Sequence, residues 1–207
     1  GQTWNKIINI AYIEYEFPSE NIGYARSSKT PGRTLETGDS CQCEDGTYKT
    51  TDGGVTWNKI SDKVFHFKSF PTNDIGYAKE WPIGGGEGGR LYKTIDGGLN
   101  WNNISLKDSL GNVDPRFRSI SRIDIDKDND AIINVATWPG SRWFGDGSRG
   151  SIYRSEDGGN TWRNVYSSNP DERVTQLLSS PSDNKILALY ERLFSLILPA
   201  RGIWDSS

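Results

Sequence analysis

Three carboxylic acids and a set of aromatic residues in this 207-residue sequence have the chemistry of a carbohydrate site. Glu80, Asp146 and Glu191 are candidate catalytic residues, because glycoside hydrolysis commonly uses two carboxylates on either side of the scissile bond. Nothing in their spacing pairs any two of them. The candidate ligand-binding residues are Trp81, Trp138, Arg142, Trp143 and Tyr190. Aromatic faces stack on sugar rings, but the Trp side chains also fit an alternative in which they pack loops against strands.

All of these candidates lie outside a turn that the sequence repeats. Residues 48–57, 92–101 and 153–162 align without gaps, and each copy has an alternating strand, then Asp-Gly-Gly, then a strand that carries Trp. Asp-Gly predicts a tight hairpin, because glycine adopts positive φ without steric cost and the Asp carboxylate accepts hydrogen bonds within the turn. The Asp and Trp of each copy are therefore predicted to be structural: Asp52, Trp57, Asp96, Trp101, Asp157 and Trp162.

Two further strands precede each turn. Residues 17–25 and 70–78 share Phe-Pro-x-x-x-Ile-Gly-Tyr-Ala, which indicates the end of one strand, a polar turn and a second strand. The unit is thus a four-stranded antiparallel blade with strands A, B, C and D. Trp recurs at positions 4, 57, 101 and 162, at spacings of 53, 44 and 61 residues. Periods of roughly 40–50 residues in an all-β chain are typical of propeller repeats. The sequence predicts an all-β protein built from β-propeller blades, with the Asp-Gly-Gly turns joining strands C and D.

The three turns resemble the Asp-box (BNR) repeat, whose pattern is Ser/Thr-x-Asp-Gly-Gly-x-Thr-Trp. That repeat occurs in sialidases, xyloglucanase-type glycoside hydrolases, sortilin-type receptors and photosystem II assembly-factor-like proteins. The resemblance covers almost the whole chain and implies a secreted or cell-envelope location. The Arg-Ile-Pro segment that a sialidase would require is absent from the sequence, and xyloglucanase-type enzymes are much longer than this chain.

The strand count leaves the number of blades open. The sequence supplies one D strand, three full blades and then strands A, B and C of a last blade. We expect residues 1–207 to form a single propeller domain that is incomplete at both ends. Three interpretations remain: a fragment of a larger propeller, a four-blade ring closed by the N-terminal strand, and self-association that completes a ring.

Composition argues against several classes of function. A net charge of -3 without a basic patch argues against nucleic-acid binding, and the sequence has no run of about 18 apolar residues that would insert into a membrane. The single His (His66) and the C-x-C pair Cys41 and Cys43 do not make a zinc pattern. The sequence therefore predicts neither a metal nor a cofactor, and it leaves the role of the two thiols open.

Function is expected at the loops between strands B and C, which are long and carry the aromatic and charged candidates. The first hypothesis is a secreted or cell-surface recognition module that binds glycan or protein through these loops. The second is a glycoside hydrolase, or a piece of one. The third is an assembly-factor-like protein, which the Ile-Gly-Tyr-Ala elements favour.

Overall fold

The computed structural model describes residues 14–27, 44–80, 90–107, 110–112, 114, 120–126, 129–137, 149–170, 172–179, 185–192 and 201–205. All regular structure in these residues is β-strand, and the strands form four separate sheets. None of the described residues forms a helix long and apolar enough to cross a membrane.

The first two sheets have four strands each, and their strands are adjacent in chain order. The first sheet consists of β1 (Glu14–Glu16), β2 (Gly23–Ser27), β3 (Gly46–Thr50) and β4 (Asn58–Ser61). The second consists of β5 (Phe65–Ser69), β6 (Gly76–Glu80), β7 (Leu91–Thr94) and β8 (Asn102–Asn103). This order is the one that the sequence predicts for blade strands A, B, C and D.

The third sheet repeats this order, and the fourth has three described strands. The third sheet consists of β9 (Ile120–Ile125), β10 (Ile133–Thr137), β11 (Arg149–Ser155) and β12 (Arg163–Pro170). The fourth consists of β13 (Glu172–Ser179), β14 (Ile186–Arg192) and β15 (Arg201–Asp205). Strand β10 is buried at every position, as expected of an inner strand that is covered on both faces.

The chain divides into two compact units. The first comprises Gly1–Trp81 and Tyr92–Asn102, and the second comprises Pro82–Leu91 and Asn103–Ser207. The first unit holds the first sheet and nearly all of the second sheet, while the second unit holds the third and fourth sheets. The expected single domain of residues 1–207 stays a prediction.

Each unit has its own hydrophobic core. In the first unit the rings of Tyr24 and Phe70 stack with centroids 3.8 Å apart, and Trp101 meets Phe70 edge-on at 6.1 Å. An edge-on pair such as Phe70 and Trp101 adds about 0.5–1.5 kcal/mol beyond its area burial. The core of the second unit is aliphatic and is formed by Ala136, Ile152, Val174, Leu177, Ile186 and Ala188.

Candidate functional site

The Asp-Gly-Gly turns are closed by hydrogen bonds between residues two to four positions apart. In the first turn Asp52 Oδ1 accepts from the Thr56 amide at 2.9 Å, and Asp52 Oδ2 accepts from the Thr56 hydroxyl at 2.6 Å. Thr50 Oγ1 donates to Asp52 Oδ1 at 2.7 Å and accepts from the Gly54 amide at 2.9 Å. The hydrogen bonds from Thr56, followed by that from Thr50, lower the pKa of Asp52 to about 2. This carboxylate is therefore ionised and committed to the turn.

The other two turns repeat this arrangement. Asp96 accepts from the Asn100 amide at 2.9 Å and from its side-chain nitrogen at 2.7 Å. Asp157 accepts from the Thr161 amide at 2.8 Å and from its hydroxyl at 2.6 Å. The pKa of Asp157 is likewise lowered to about 2, with the Thr161 hydrogen bonds as the largest cause. In this structure the turn carboxylates act as hydrogen-bond acceptors that hold the hairpins.

The Trp of the third turn is bonded differently from the Trp residues of the first two. The indole nitrogens of Trp57 and Trp101 donate to the carbonyls of Gly54 and Gly98 in their own turns, each at 3.0 Å. The indole nitrogen of Trp162 donates instead to the carbonyl of Ile104 at 2.8 Å. The third turn is thereby tied to the segment that follows β8.

Glu80 is the candidate catalytic residue whose side-chain contacts the structure describes. It is the last residue of β6, and Lys63 Nζ lies 2.8 Å from its Oε1. The Tyr92 hydroxyl donates to Oε2 at 2.9 Å and accepts from Lys63 Nζ at 3.0 Å. Burial acts to lower the pKa of Lys63, but the hydrogen bonds to Glu80 and Tyr92, together with the charges of these two groups, outweigh burial and raise that pKa. Both oxygens of Glu80 are thus engaged by neighbours.

Most of the other predicted site residues fall outside the described part of the chain: Trp81, Trp138, Arg142, Trp143 and Asp146, together with Cys41 and Cys43. Tyr190 and Glu191 are placed on β14. Tyr190 is partly exposed and lies opposite Val174 and Gly202 in the sheet, and Glu191 takes the next position on the strand. The structure therefore leaves the predicted grouping of these candidates untested.

A titratable cluster in the first unit was not anticipated from the sequence. Glu14 Oε2 accepts from Arg26 Nε at 2.9 Å and lies 3.1 Å from His66 Nδ1. Burial, and then the charge of Glu14, raise the pKa of Glu16 on the same strand. Glu14 is thus contacted from β2 and β5, so the cluster links the first and second sheets.

A second cluster links the third and fourth sheets within the second unit. Asn134 Nδ2 donates to the Ser179 hydroxyl oxygen at 2.7 Å, and that hydroxyl donates to Asp124. Burial raises the pKa of Asp124. Within the described residues, no group of three or more His, Cys, Asp or Glu side chains is placed to hold a metal ion. Asp126 is buried, and its Oδ1 accepts from the Asn129 amide at 3.1 Å, so it helps to fold the turn between β9 and β10.

A cleft of about 260 Å³ lies between the third turn and the segment after β8, and sequence reasoning missed it. Its lining residues are Asn103, Ile104, Ser105, Leu106, Lys107, Gly159, Asn160, Thr161 and Trp162. One residue in the sequence distinguishes this turn from the other two: the polar Asn160 occupies the position at which they have the apolar Val55 and Leu99.

Comparisons with known proteins identify the fold. No family model and no curated protein matches the chain. The structure of YCF48 bound to D1 peptide aligns with a TM-score of 0.52 at 20% identity, covering 94% of this chain and 54% of that one. The GH74 enzyme of Niastella koreensis aligns with a TM-score of 0.54 at 19% identity, covering 90% of this chain and 30% of that one. An ancestral GH74 enzyme gives a TM-score of 0.58 at 14% identity, covering 98% and 25%.

These similar structures are β-propellers, so the predicted fold class is confirmed: the protein is all-β, with four-stranded antiparallel blades. The chain spans about half of the YCF48 structure and a third or less of the two GH74 enzymes. At these identities the comparisons establish the fold alone.

Proposed function

We propose that this chain is a recognition module of the Asp-box (BNR) type, which binds glycan or protein through its long B–C loops without catalysing a reaction. The observation that carries this proposal is that the Glu80 carboxylate is bound by other side chains of the protein. Both of its oxygens contact neighbours, Lys63 at 2.8 Å and the Tyr92 hydroxyl at 2.9 Å.

This arrangement suits a structural carboxylate better than a catalytic one. A glycosidase acid must hold a proton for the leaving group, and a glycosidase nucleophile must reach the sugar. Lys63 Nζ donates to Oε1 of Glu80 at 2.8 Å, so this oxygen is already engaged within the protein and is not open to a leaving group. The Tyr92 hydroxyl donates to the other oxygen, Oε2, at 2.9 Å, and this hydrogen bond restricts the access of Glu80 to a sugar as a nucleophile.

The same contacts provide a rigid base for one of the recognition loops. Glu80 is the last residue of β6, and Trp81 follows it directly. Tyr92 lies at the second position of β7, just after the loop has returned to the sheet. The hydrogen bond between Tyr92 and Glu80 therefore joins the two strands at the start and the end of this loop. A loop held at its base loses less entropy when it binds a ligand.

The ligand-binding residues that we propose are Trp81, Trp138, Arg142, Trp143 and Tyr190, with a glycan or an extracellular protein as partner. We propose a secreted or cell-envelope location from the resemblance to Asp-box proteins. We also propose that the protein neither binds nucleic acid nor inserts into a membrane. Self-association to complete a propeller belongs to the same proposal. The aromatic residues support a glycan, while the similarity to YCF48, in a structure that holds a D1 peptide, supports a protein ligand.

The experiment is a panel of polysaccharides, sialoglycans and peptides, read for both retention and released products. We expect retention without released sugar, and loss of retention in Trp143→Ala. Leu99→Ala is the matched control, because Leu99 is a 67% exposed apolar residue in the turn at the opposite end of β7 from its B–C loop. Equal loss in both variants, or no retention of any ligand, would contradict the proposal.

A glycoside hydrolase is the second candidate function, because two GH74 enzymes align over 90% or more of this chain. Under that alternative the panel releases sugar, and release disappears in Glu191→Ala, Asp146→Ala or Glu80→Ala. Retention of a peptide alone would instead favour the assembly-factor-like alternative.

A further inference from the structure

The cleft at the third Asp-Gly-Gly turn has the features of a small binding site that is separate from the B–C loops. Its volume of about 260 Å³ is close to the lower end of the range for small-molecule pockets, about 300–1,000 Å³, and suits one sugar ring. It lies at the C–D turn of the third sheet, whereas the proposed recognition loops follow strand B. The cleft is formed entirely within the second unit.

The polar groups of this cleft are only partly used by the protein itself. Asn103 Oδ1 accepts from the Ser105 amide at 2.9 Å, which leaves its side-chain NH2 group for a ligand. Asn160 Nδ2 donates to the Asp157 carbonyl at 2.7 Å, which leaves its Oδ1 as an acceptor. Ser105 Oγ accepts from the Leu91 amide at 2.8 Å, so its hydroxyl proton can be donated. The cleft thus offers both donors and an acceptor, as a ring with several hydroxyls requires.

One charged side chain lines the described part of the cleft. Lys107 is exposed, and it is the only charged residue among the described residues that line the cleft. The exposed Asp157 carboxylate is not among the lining residues, but it lies next to the cleft, because its Oδ2 accepts from the hydroxyl of the lining residue Thr161 at 2.6 Å. An anionic group on a ligand would therefore bind at Lys107, on the segment after β8, and not at the Asp157 side of the cleft.

An aromatic side chain completes the cleft. Trp162 is partly exposed, and its indole nitrogen is committed to the Ile104 carbonyl at 2.8 Å, which fixes the ring. A ring fixed in this way offers apolar surface to a ligand at little cost in side-chain entropy. The first two turns lack this arrangement, because their Trp residues bond within their own turns and their equivalents of Asn160 are Val55 and Leu99.

We propose that this cleft binds one acidic sugar residue, a hexuronate, with its carboxylate on Lys107 and its hydroxyls on Asn103 and Asn160. The apolar face of the sugar lies against Trp162. A hexuronate combines the features that the cleft matches, namely a single negative charge, several hydroxyls and the size of one ring. This proposal stands apart from the proposed function of the B–C loops and survives if that function is wrong.

The test is a titration of the full chain with sodium galacturonate, with galactose as the neutral match, followed through the Trp162 indole N–H signal in 15N–1H spectra. Trp162→Phe assigns that signal. We expect a saturable shift with galacturonate, and binding at least about tenfold weaker for galactose and for Lys107→Gln, because a charge-assisted hydrogen bond is lost. Asn160→Val, which installs the residue of the first turn, is expected to weaken binding about two- to tenfold.

Lys185→Gln is the matched control, because it removes the same charge from a lysine that does not line the cleft. We expect this variant to bind galacturonate like the parent protein. The proposal is overturned if galacturonate produces no saturable shift, or if Lys107→Gln and Lys185→Gln bind equally. Binding of a peptide with a free C-terminal carboxylate in the absence of galacturonate binding overturns the assignment to a sugar. Unchanged signal dispersion in each variant confirms that it is folded.

Discussion

The second glycine of each Asp-Gly-Gly turn provides a matched series that separates backbone strain from packing. Gly54 and Gly159 both have a φ of 94°, in the left-handed region that disfavours any residue with a Cβ. A Cβ at Gly54 would meet its nearest neighbours, Phe17 and Trp57, at 3.7 Å, which is ordinary contact. A Cβ at Gly159 would lie 2.6 Å from Ile104 Cδ1 and 2.8 Å from Ile104 Cβ.

The magnitudes follow from these two contributions. The left-handed conformation costs an alanine roughly 1–2 kcal/mol, and this cost is common to Gly54→Ala and Gly159→Ala. Overpacking costs typically about 1–3 kcal/mol more and applies at Gly159, because a Cβ atom of Ile104 cannot rotate away as a side-chain end does. We therefore expect Gly54→Ala to lower the free energy of unfolding by about 1–2 kcal/mol, and Gly159→Ala by about 2–5 kcal/mol.

The assay is equilibrium unfolding in urea at pH 7, with the slope of the transition compared between variants. Gly98→Ala is expected to fall between the other two, because the nearest atom to a Cβ there is the flexible end of Ile60, at 2.8 Å. Equal destabilisation by Gly54→Ala and Gly159→Ala would refute the packing argument. A larger effect of Gly54→Ala would refute it as well.

Three further perturbations test other parts of the structure. Phe70→Ala is expected to destabilise the protein by about 3–5 kcal/mol, because Phe70 is only 5% exposed. Its repeat equivalent Phe17→Ala is expected to cost about 1 kcal/mol, because Phe17 is 46% exposed. The midpoints of urea unfolding measure both effects. The pKa of Asp157 is about 2 in the folded protein and has an ordinary value of 3.8, so its stabilising effect is present above about pH 4 and is lost towards about pH 2. Asp157→Asn should flatten the fall of the urea midpoint with pH over that window, and an unchanged fall would contradict this. Lys63→Met and Glu80→Gln should show a coupling of about 0.5–1 kcal/mol in a double-mutant cycle, because the pair is partly exposed at 44% and 25%; additivity would show that the ion pair contributes nothing.

The turns and the blade order could be predicted from the sequence because their interactions are local. Each Asp-Gly-Gly turn is closed by hydrogen bonds that span two to four residues, such as those of Asp52 with Thr50 and Thr56. Positive φ at the glycines follows from the same short segment. Strand order in the first three sheets follows the chain, so the repeated series of alternating segments around each Asp-Gly-Gly turn was enough to indicate it.

The candidate site depends on contacts that no local pattern encodes. Glu80 has the appearance of a free acid at a loop boundary in the sequence, yet the Lys63 that pairs with it lies 17 residues earlier in the chain. The Trp162 indole nitrogen donates to Ile104, 58 residues away, although the same local pattern directs Trp57 and Trp101 to their own turns. Only the packed structure placed the cleft with Lys107 between two segments that are distant in the chain.

Phe17 and Phe70 show most directly the difference between what local sequence determines and what tertiary packing decides. Both begin the same Phe-Pro-x-x-x-Ile-Gly-Tyr-Ala segment, so the sequence assigns them one local structure. Phe70 stacks on Tyr24 from the first sheet and is buried, whereas Phe17 contacts Trp57 edge-on at 5.9 Å and stays half exposed. The sequence determined the repeated turn and strand, since these depend on interactions a few residues apart. The tertiary structure decided which copy of each side chain is buried, paired or open to a ligand, because that depends on the neighbouring sheet.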